Sequence, residues 1–156
     1  MESLRIVLHQ PEIPQNTGAI LRTCAATGAG LHLIGPLGFR LDSAGVRRAG
    51  MDYREWVTVQ RWHDWEHFLQ NLPADALLIA ATTKARVRHV DYPFSPASWL
   101  LFGSEGSGLP EPILNHCAPH HIRIPMLPQT RSLNLAQSVA IILYEALRQN
   151  GFMGMG

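Results

Sequence analysis

The chain has 156 residues, 46% of them apolar, with a formal net charge of +1. This length suits one domain with a sizeable core, and residues 1–156 are read as a single unit. No apolar run approaches the ~18 residues of a membrane helix, and Met1 to Val7 lacks a signal-peptide pattern. Cys24 and Cys117 are too few and too far apart for a disulfide framework, so a reducing cytoplasm is expected.

In chain order, Leu4 to His9 reads as a short apolar strand. Pro11, Pro14 and Gly18 mark a loop, and Asn16-Thr17 opens a helix in which Ile20, Leu21, Cys24 and Ala25 recur at helical spacing; Gly28 and Gly30 end it. Leu31 to Ile34 is the next strand, stopped by Gly35-Pro36. A short helix is expected over Ser43 to Ala49, a strand over Trp56 to Gln60, and a helix over Asp64 to Asn71 with an Asp cap. Ala76 to Ala81 reads as a buried strand, 85–97 as a polar loop, and Ser98 to Phe102 as a further strand. The helix Glu111 to His116, the strand His121 to Ile124 and the helix Leu133 to Gln149 follow, with Ser132 as N-cap and Gly151 at the C-terminal cap. Strands alternating with helices predict an α/β domain, a mostly parallel sheet flanked by helices.

Three strand-to-helix loops carry small and polar residues. The first is Asn16-Thr17-Gly18, with Arg22 one turn later inside an otherwise apolar stretch, Ala19 to Ala26. A cation in such a stretch calls for a partner or a function. The second, Phe102-Gly-Ser-Glu-Gly-Ser-Gly108, resembles a phosphate-binding turn but has the wrong spacing: Leu109 stands where a P-loop needs Lys, and Glu105 where a dinucleotide fingerprint needs Gly. A carboxylate there repels pyrophosphate, so the loop suits a ligand without phosphates. In the third, Pro125 and Pro128 force the chain out of the sheet before Ser132 and Asn134 open the last helix. Strand ends that hand over to helix starts are where α/β proteins hold ligands.

Twelve of the thirteen basic residues are Arg, a side chain suited to phosphate contact; Arg47, Arg48, Arg54 and Arg61 cluster, as do Lys84, Arg86 and Arg88. Acids interspersed at Asp42, Asp52 and Glu55 fit a plain solvated surface equally well. His116-Cys-Ala-Pro-His-His121 offers soft donors without a second cluster at zinc spacing, so no metal is expected. Cys24, on an apolar helix face with no local base, reads as a structural thiol.

Pro11-Glu-Ile-Pro-Gln-Asn16-Thr-Gly18-Ala-Ile-Leu-Arg22, Gly103-Ser-Glu105-Gly-Ser-Gly108-Leu-Pro110 and Ile124-Pro-Met-Leu-Pro128 with Ser132-Leu-Asn134 resemble the three motifs of the SPOUT RNA methyltransferases. The likeness extends through His32-Leu-Ile and Arg48-Ala-Gly-Met-Asp-Tyr53, and within the family is nearest to enzymes that 2'-O-methylate the wobble nucleotide of leucine tRNA, position 34, cytidine or cmnm5-uridine. Ser107, Ala136 and Ala85 depart from the residues common at those places. The resemblance implies a C-terminal deep trefoil knot, a homodimer, S-adenosylmethionine as cofactor, and a tRNA anticodon stem-loop as substrate. It further implies cofactor contacts at Ala81, Gly103, Ile124 and Ser132, and a catalytic group of Arg22, Asn16, Glu105, Ser132 and Asn134, with Arg22 acting on the ribose hydroxyl and Glu105 second in line as proton acceptor. Arg47, Arg48 and Lys84 are the expected RNA contacts. Two other functions fit the residues alone: a nucleotide- or flavin-binding α/β domain, and a non-catalytic RNA-binding module.

Overall fold

The computed structural model describes residues 3–50 and 53–156, so Met51 and Asp52, within a segment that carries the resemblance, lie outside the described residues. Seven strands form one sheet: β1 (Arg5–His9), β2 (Gly30–Ile34), β3 (Val59–Trp62), β4 (Leu78–Ala81), β5 (Val87–Arg88), β6 (Trp99–Phe102) and β7 (His121–Arg123). Among the described residues five α-helices accompany them: α1 (Pro14–Thr27), α2 (Ala44–Gly50), α3 (Trp65–Asn71), α4 (Glu111–Cys117) and α5 (Leu135–Gln149). The strand order is β3-β2-β1-β6-β4-β7-β5, and each pairing is parallel. A parallel sheet covered on both faces needs apolar residues at successive positions, and Leu100, Leu101 and Phe102 of β6 are all buried.

Alternation sorts those residues into two cores. Leu4, Ile6 and Leu8, with Leu100 and Phe102, face α1 and α5. Val7, Trp99 and Leu101 face Phe68 of α3 and Ile113, Leu114 and Cys117 of α4. Helix α5 buries Leu135, Val139, Ile142, Leu143 and Ala146, a stripe at helical spacing. Gly18 marks the contact of α1 with α2: a Cβ there would lie 2.5 Å from the Val46 carbonyl oxygen and 2.7 Å from Ala49 Cβ.

The boundaries depart from expectation in several places, the first at α1, which begins at Pro14 rather than at Asn16, so that Pro14 and Gly18 lie within it. The strand expected over Trp56 to Gln60 starts later, because 53–56 form a 3-10 turn and pairing with β2 begins at Leu31 with Val59. The 85–97 loop contains β5, a two-residue edge strand with both side chains exposed, too short for alternation to betray. The N-cap of α5 is Asn134 and not Ser132: the Asn134 side chain accepts from the Gln137 N–H at 3.1 Å. Asp64 does cap α3, accepting from the His67 N–H at 2.9 Å. Gly28 (φ 78°) ends α1, and Gly151 (φ 76°) follows α5 in a Schellman arrangement, with Gly151 N–H on Arg148 O and Phe152 N–H on Leu147 O.

Strand β7 lies between β4 and β5, which are close neighbours in sequence. Ala81 and Val87 both stand opposite Ile122, so residues 82–86 carry the chain across β7 at that level. This is the local arrangement that a C-terminal segment passing a crossing loop requires.

Candidate active site

The loops leaving β4, β6 and β7 and the starts of α1 and α5 enclose a cavity of about 500 Å³ at the carboxyl edge of the sheet. Its apolar floor includes Phe102, Leu109, Leu114, Ile122 and Ile142, and its rim carries Thr82, Thr83, Ser104, Ser132 and Asn134. Three cations border it: Lys84, Arg123 and Arg131. Lys84 is 3.6 Å from Glu111, an exposed pair of little energetic weight.

One hydrogen-bond network joins the three sequence loops. The Glu105 carboxylate accepts from the Glu12 N–H and the Ile13 N–H, both at 2.8 Å, and from Asn16 Nδ2 at 3.2 Å. Asn16, 8% exposed, in turn accepts at Oδ1 from Asn134 Nδ2 at 3.0 Å. Asn16 therefore touches both other loops, and its position is dictated by the turn that starts α1. Glu105 stands just before that helix, where a negative charge meets unpaired backbone donors and the positive end of the helix dipole. Among the described residues its hydrogen-bond donors are N–H groups of Glu12, Ile13 and Asn16.

The Gly103–Gly108 loop is shut at its base by backbone against backbone. A Cβ on Gly103 would lie 2.1 Å from the Gly108 carbonyl carbon and 2.3 Å from the Leu109 nitrogen. Gly108 (φ 69°) completes the turn, its N–H donating to Ser104 O at 3.0 Å. The N–H groups of Gly106, Ser107 and Gly108 are taken by Glu12 Oε1, Ser104 Oγ and Ser104 O, so they are not left to cradle a phosphate.

The sequence profile of the SpoU rRNA Methylase family matches residues 3–144. The chain belongs to the SpoU methylase family. It is 51% identical, over 97% of each chain, to a tRNA (cytidine(34)-2'-O)-methyltransferase of Aeromonas hydrophila subsp. hydrophila. A solved structure described as giving structural insights into the 2-OH methylation of C/U34 on tRNA superposes with a TM-score of 0.90, at 43% identity, over 96% of this chain and 92% of that one. An AdoMet-bound rRNA methyltransferase from Sinorhizobium meliloti superposes at 0.85 with 31% identity; this chain spans 56% of it.

Within the SpoU methylase fold, Asn16, Glu105, Ser132 and Asn134 of the expected catalytic group meet at the cavity, as do Ala81, Gly103, Ile124 and Lys84. Arg22 does not: it is exposed on α1 and outside the cavity lining. The stretch that made it look out of place is itself partly solvated, since Ala26 is exposed too. Arg47 and Arg48 are exposed on α2, also away from the cavity, and the side chain of Arg54 lies outside the described residues. Arg123 and Arg131 at the cavity, and Glu12 behind it, escaped the sequence reading; Arg131 is adjacent to Ser132 and was legible by neighbourhood alone.

Cys24 and Cys117 are buried free thiols, and His120 and His121 have hydrogen-bond partners. Burial pushes the Cys24 thiol up to about 12 and Cys117 up to about 11, so neither is a thiolate at neutral pH. His121 Nε2 donates to Leu114 O at 2.6 Å, and His120 Nδ1 shares a hydrogen bond with the Tyr92 hydroxyl at 2.8 Å. Among the described residues no three His, Cys, Asp or Glu converge as a metal site. Nor is any described helix long and apolar enough to cross a membrane.

Proposed function

We propose that this protein transfers the methyl group of S-adenosylmethionine to the ribose 2'-oxygen of nucleotide 34 in a tRNA, with the anticodon stem-loop of leucine tRNA, carrying cytidine or cmnm5-uridine, as the target. The observation that carries the reading is the Glu105–Asn16–Asn134 network, which draws three separate loops around one cavity. Relatives named for 2'-O-methylation at nucleotide 34 of tRNA, similar over nearly the whole chain, support that part of it.

The cavity suits the cofactor on three counts: its volume, its apolar floor, and a main-chain wall that offers nothing to phosphates. Ala81, Gly103, Ile124 and Ser132 are the residues that would hold it. When bound, the cofactor supplies a methyl group on a sulfonium, already a good leaving group. With the cofactor held by these residues, the 2'-oxygen would take the methyl group as the sulfonium becomes a neutral thioether, and the hydroxyl proton would pass to solvent water. The protein must therefore align donor and acceptor and manage one proton. Both Glu105 oxygens are engaged by N–H donors, so we assign Glu105 to holding the loops and not to taking that proton. Arg22 would stabilise the developing alkoxide and bind the adjacent phosphate.

Because Arg22 lies outside its own cavity, this role requires a second copy of the chain, and we propose a homodimer. Ile141 and Tyr144 form an exposed apolar stripe on α5 suited to such a contact. Lys84, Arg47 and Arg48, joined by Arg123 and Arg131, are the proposed RNA-phosphate contacts, and the work is placed in the cytoplasm with its substrate. The flavin or nucleotide alternative loses support from Glu105, whose carboxylate takes the donors that a phosphate would need.

The test incubates the protein with methyl-labelled S-adenosylmethionine and bulk tRNA from a strain lacking the gene, and maps the product by mass spectrometry. A 2'-O-methyl group at position 34 of leucine tRNA is expected. Incorporation elsewhere, or none, defeats the assignment, and binding of tRNA without cofactor binding would indicate the non-catalytic module.

A further inference from the structure

Glu12 was singled out by no motif argument, yet it makes the second half of an exchange with Glu105. Its own N–H donates to Glu105 Oε1 at 2.8 Å, while its side-chain Oε1 accepts from the Gly106 N–H at 2.9 Å. Two carboxylates more than ninety residues apart thus each take a main-chain N–H from the other's loop.

The tie matters because of how the glycine loop is built. Its base is closed by the Gly103–Gly108 backbone contact. Its apex has weaker internal support: the Ser107 N–H reaches Ser104 Oγ at 3.4 Å, and the two serine hydroxyls are 2.9 Å apart, both within the loop itself. Glu12 reaches the apex from outside. Gly106 borders the cavity whereas Glu12 does not, and a Cβ on Gly106 would come within 3.0 Å of Glu12 Oε1, so the carboxylate rests directly on the loop. Glu12 is exposed and forms no ion pair among those found for the described residues.

We propose that Glu12 is a positioning residue of the methyl-donor pocket: it fixes the apex of the 103–108 loop so that the loop's main chain stands ready as one wall before the ligand arrives. This rests on the methyl-donor reading of the cavity. A wall ordered in advance spares the ligand the cost of ordering it, so the effect falls on donor affinity. Glu12 touches no reacting atom, and turnover at saturating donor is the quantity it influences least.

The experiment uses the full-length protein, with calorimetric titration of S-adenosylmethionine and steady-state kinetics on a tRNA transcript. For Glu12→Ala, a charge-assisted hydrogen bond is lost, and Kd and KM for the donor rise about tenfold while kcat falls less than about threefold. Glu12→Gln retains an oxygen for the Gly106 N–H and restores binding to within about threefold of the parent. Glu12→Asp keeps the charge but is one methylene short, and behaves like the Ala variant. Donor affinity unchanged in Glu12→Ala overturns the proposal, as does equal loss in the Gln and Ala variants. Amide hydrogen exchange separates this from failure of the functional reading. If the parent protein binds no donor at all, that reading falls, and the clamp stands only if the Gly106 amide exchanges faster in Glu12→Ala than in the parent.

Discussion

Replacing Glu105 by Gln is nominally the mildest change available and here is not conservative. Each carboxylate oxygen faces its own backbone donor, Glu12 N–H on Oε1 and Ile13 N–H on Oε2, both at 2.8 Å, with Asn16 Nδ2 sharing the second at 3.2 Å. An amide has one oxygen. Whichever way it turns, one backbone N–H meets an NH2 group, and the surviving bonds change from a charged to a neutral acceptor. Hydrogen bonds to charged groups contribute ~1.5–3 kcal/mol and neutral ones ~0.5–1.5 kcal/mol, so with the site partly solvated the loss comes to about 2–3 kcal/mol. For a chain of this size that lowers Tm by roughly 4–12 °C, and donor binding weakens by roughly thirty- to a hundred-and-fortyfold if the loss is felt at the pocket, since each ~1.4 kcal/mol is tenfold. The assay pairs thermal unfolding with donor titration and a pH–rate profile. The positioning role predicts a lower Tm, a higher Kd and a profile of unchanged shape. A general base predicts the opposite pattern: binding and Tm intact, turnover down by ~10²–10⁴, and the acid limb gone. That second pattern would refute the reasoning, and so would a variant indistinguishable from the parent.

Gly103→Ala should abolish measurable donor binding and destabilise the fold by at least ~1–3 kcal/mol, because its Cβ would sit 2.1 Å from backbone that can yield only by opening the loop; titration and unfolding curves check it. Asn134→Ala should cost about 1–2 kcal/mol through the lost cap on α5, whereas Ser132→Ala should stay within ~0.5 kcal/mol, a contrast readable in urea. Acid should weaken the protein through His32, which burial first and Arg5 second hold down at about 4. Its folded pKa is below the unfolded value, so the neutral ring's contribution is complete above ~6.5 and is lost as pH falls from there to about 4, to a total of roughly 3 kcal/mol. Protonation would also occupy Nδ1, which accepts the Trp62 indole N–H at 3.0 Å. Unfolding curves at intervals between pH 7 and 4 should show that slope, and His32→Gln should flatten it.

The parts of the fold legible in the sequence are those set by local periodicity. The apolar runs of β1, β2, β4 and β6 and the stripe of α5 announce themselves because both faces of a parallel sheet must be covered. The N-cap of α5 was misplaced by two residues because Ser132 and Asn134 have equal capping chemistry, and only the path of the chain after Pro128 decides which one meets the helix donors. At the site, sequence order could mark Asn16, Glu105 and Asn134 as polar residues at loop ends. It could not show that they bond to one another across 89 and 118 residues of chain. Glu12 was invisible for the same reason, and Arg22 stands apart for a different one: it is exposed on α1, where the cavity of its own chain does not reach it.

The sheet order ties these facts to the position of the cavity. Parallel strands ordinarily need a dozen or more residues to return to their starting edge. Here β5 begins level with the end of β4, so five residues suffice, and they never leave the carboxyl edge. They pass over β7, Thr82 N–H donating to Ile122 O at 2.9 Å, and Thr82, Thr83 and Lys84 thereby become a wall of the cavity. The chain leaving β7 must then run beside this crossing, which brings Ile124, Met126 and residues 131–134 to the opposite wall. The crossing and the pocket are accordingly one structural feature. A longer link after β4 would let the crossing pull away from β7 and would open the cavity along with it.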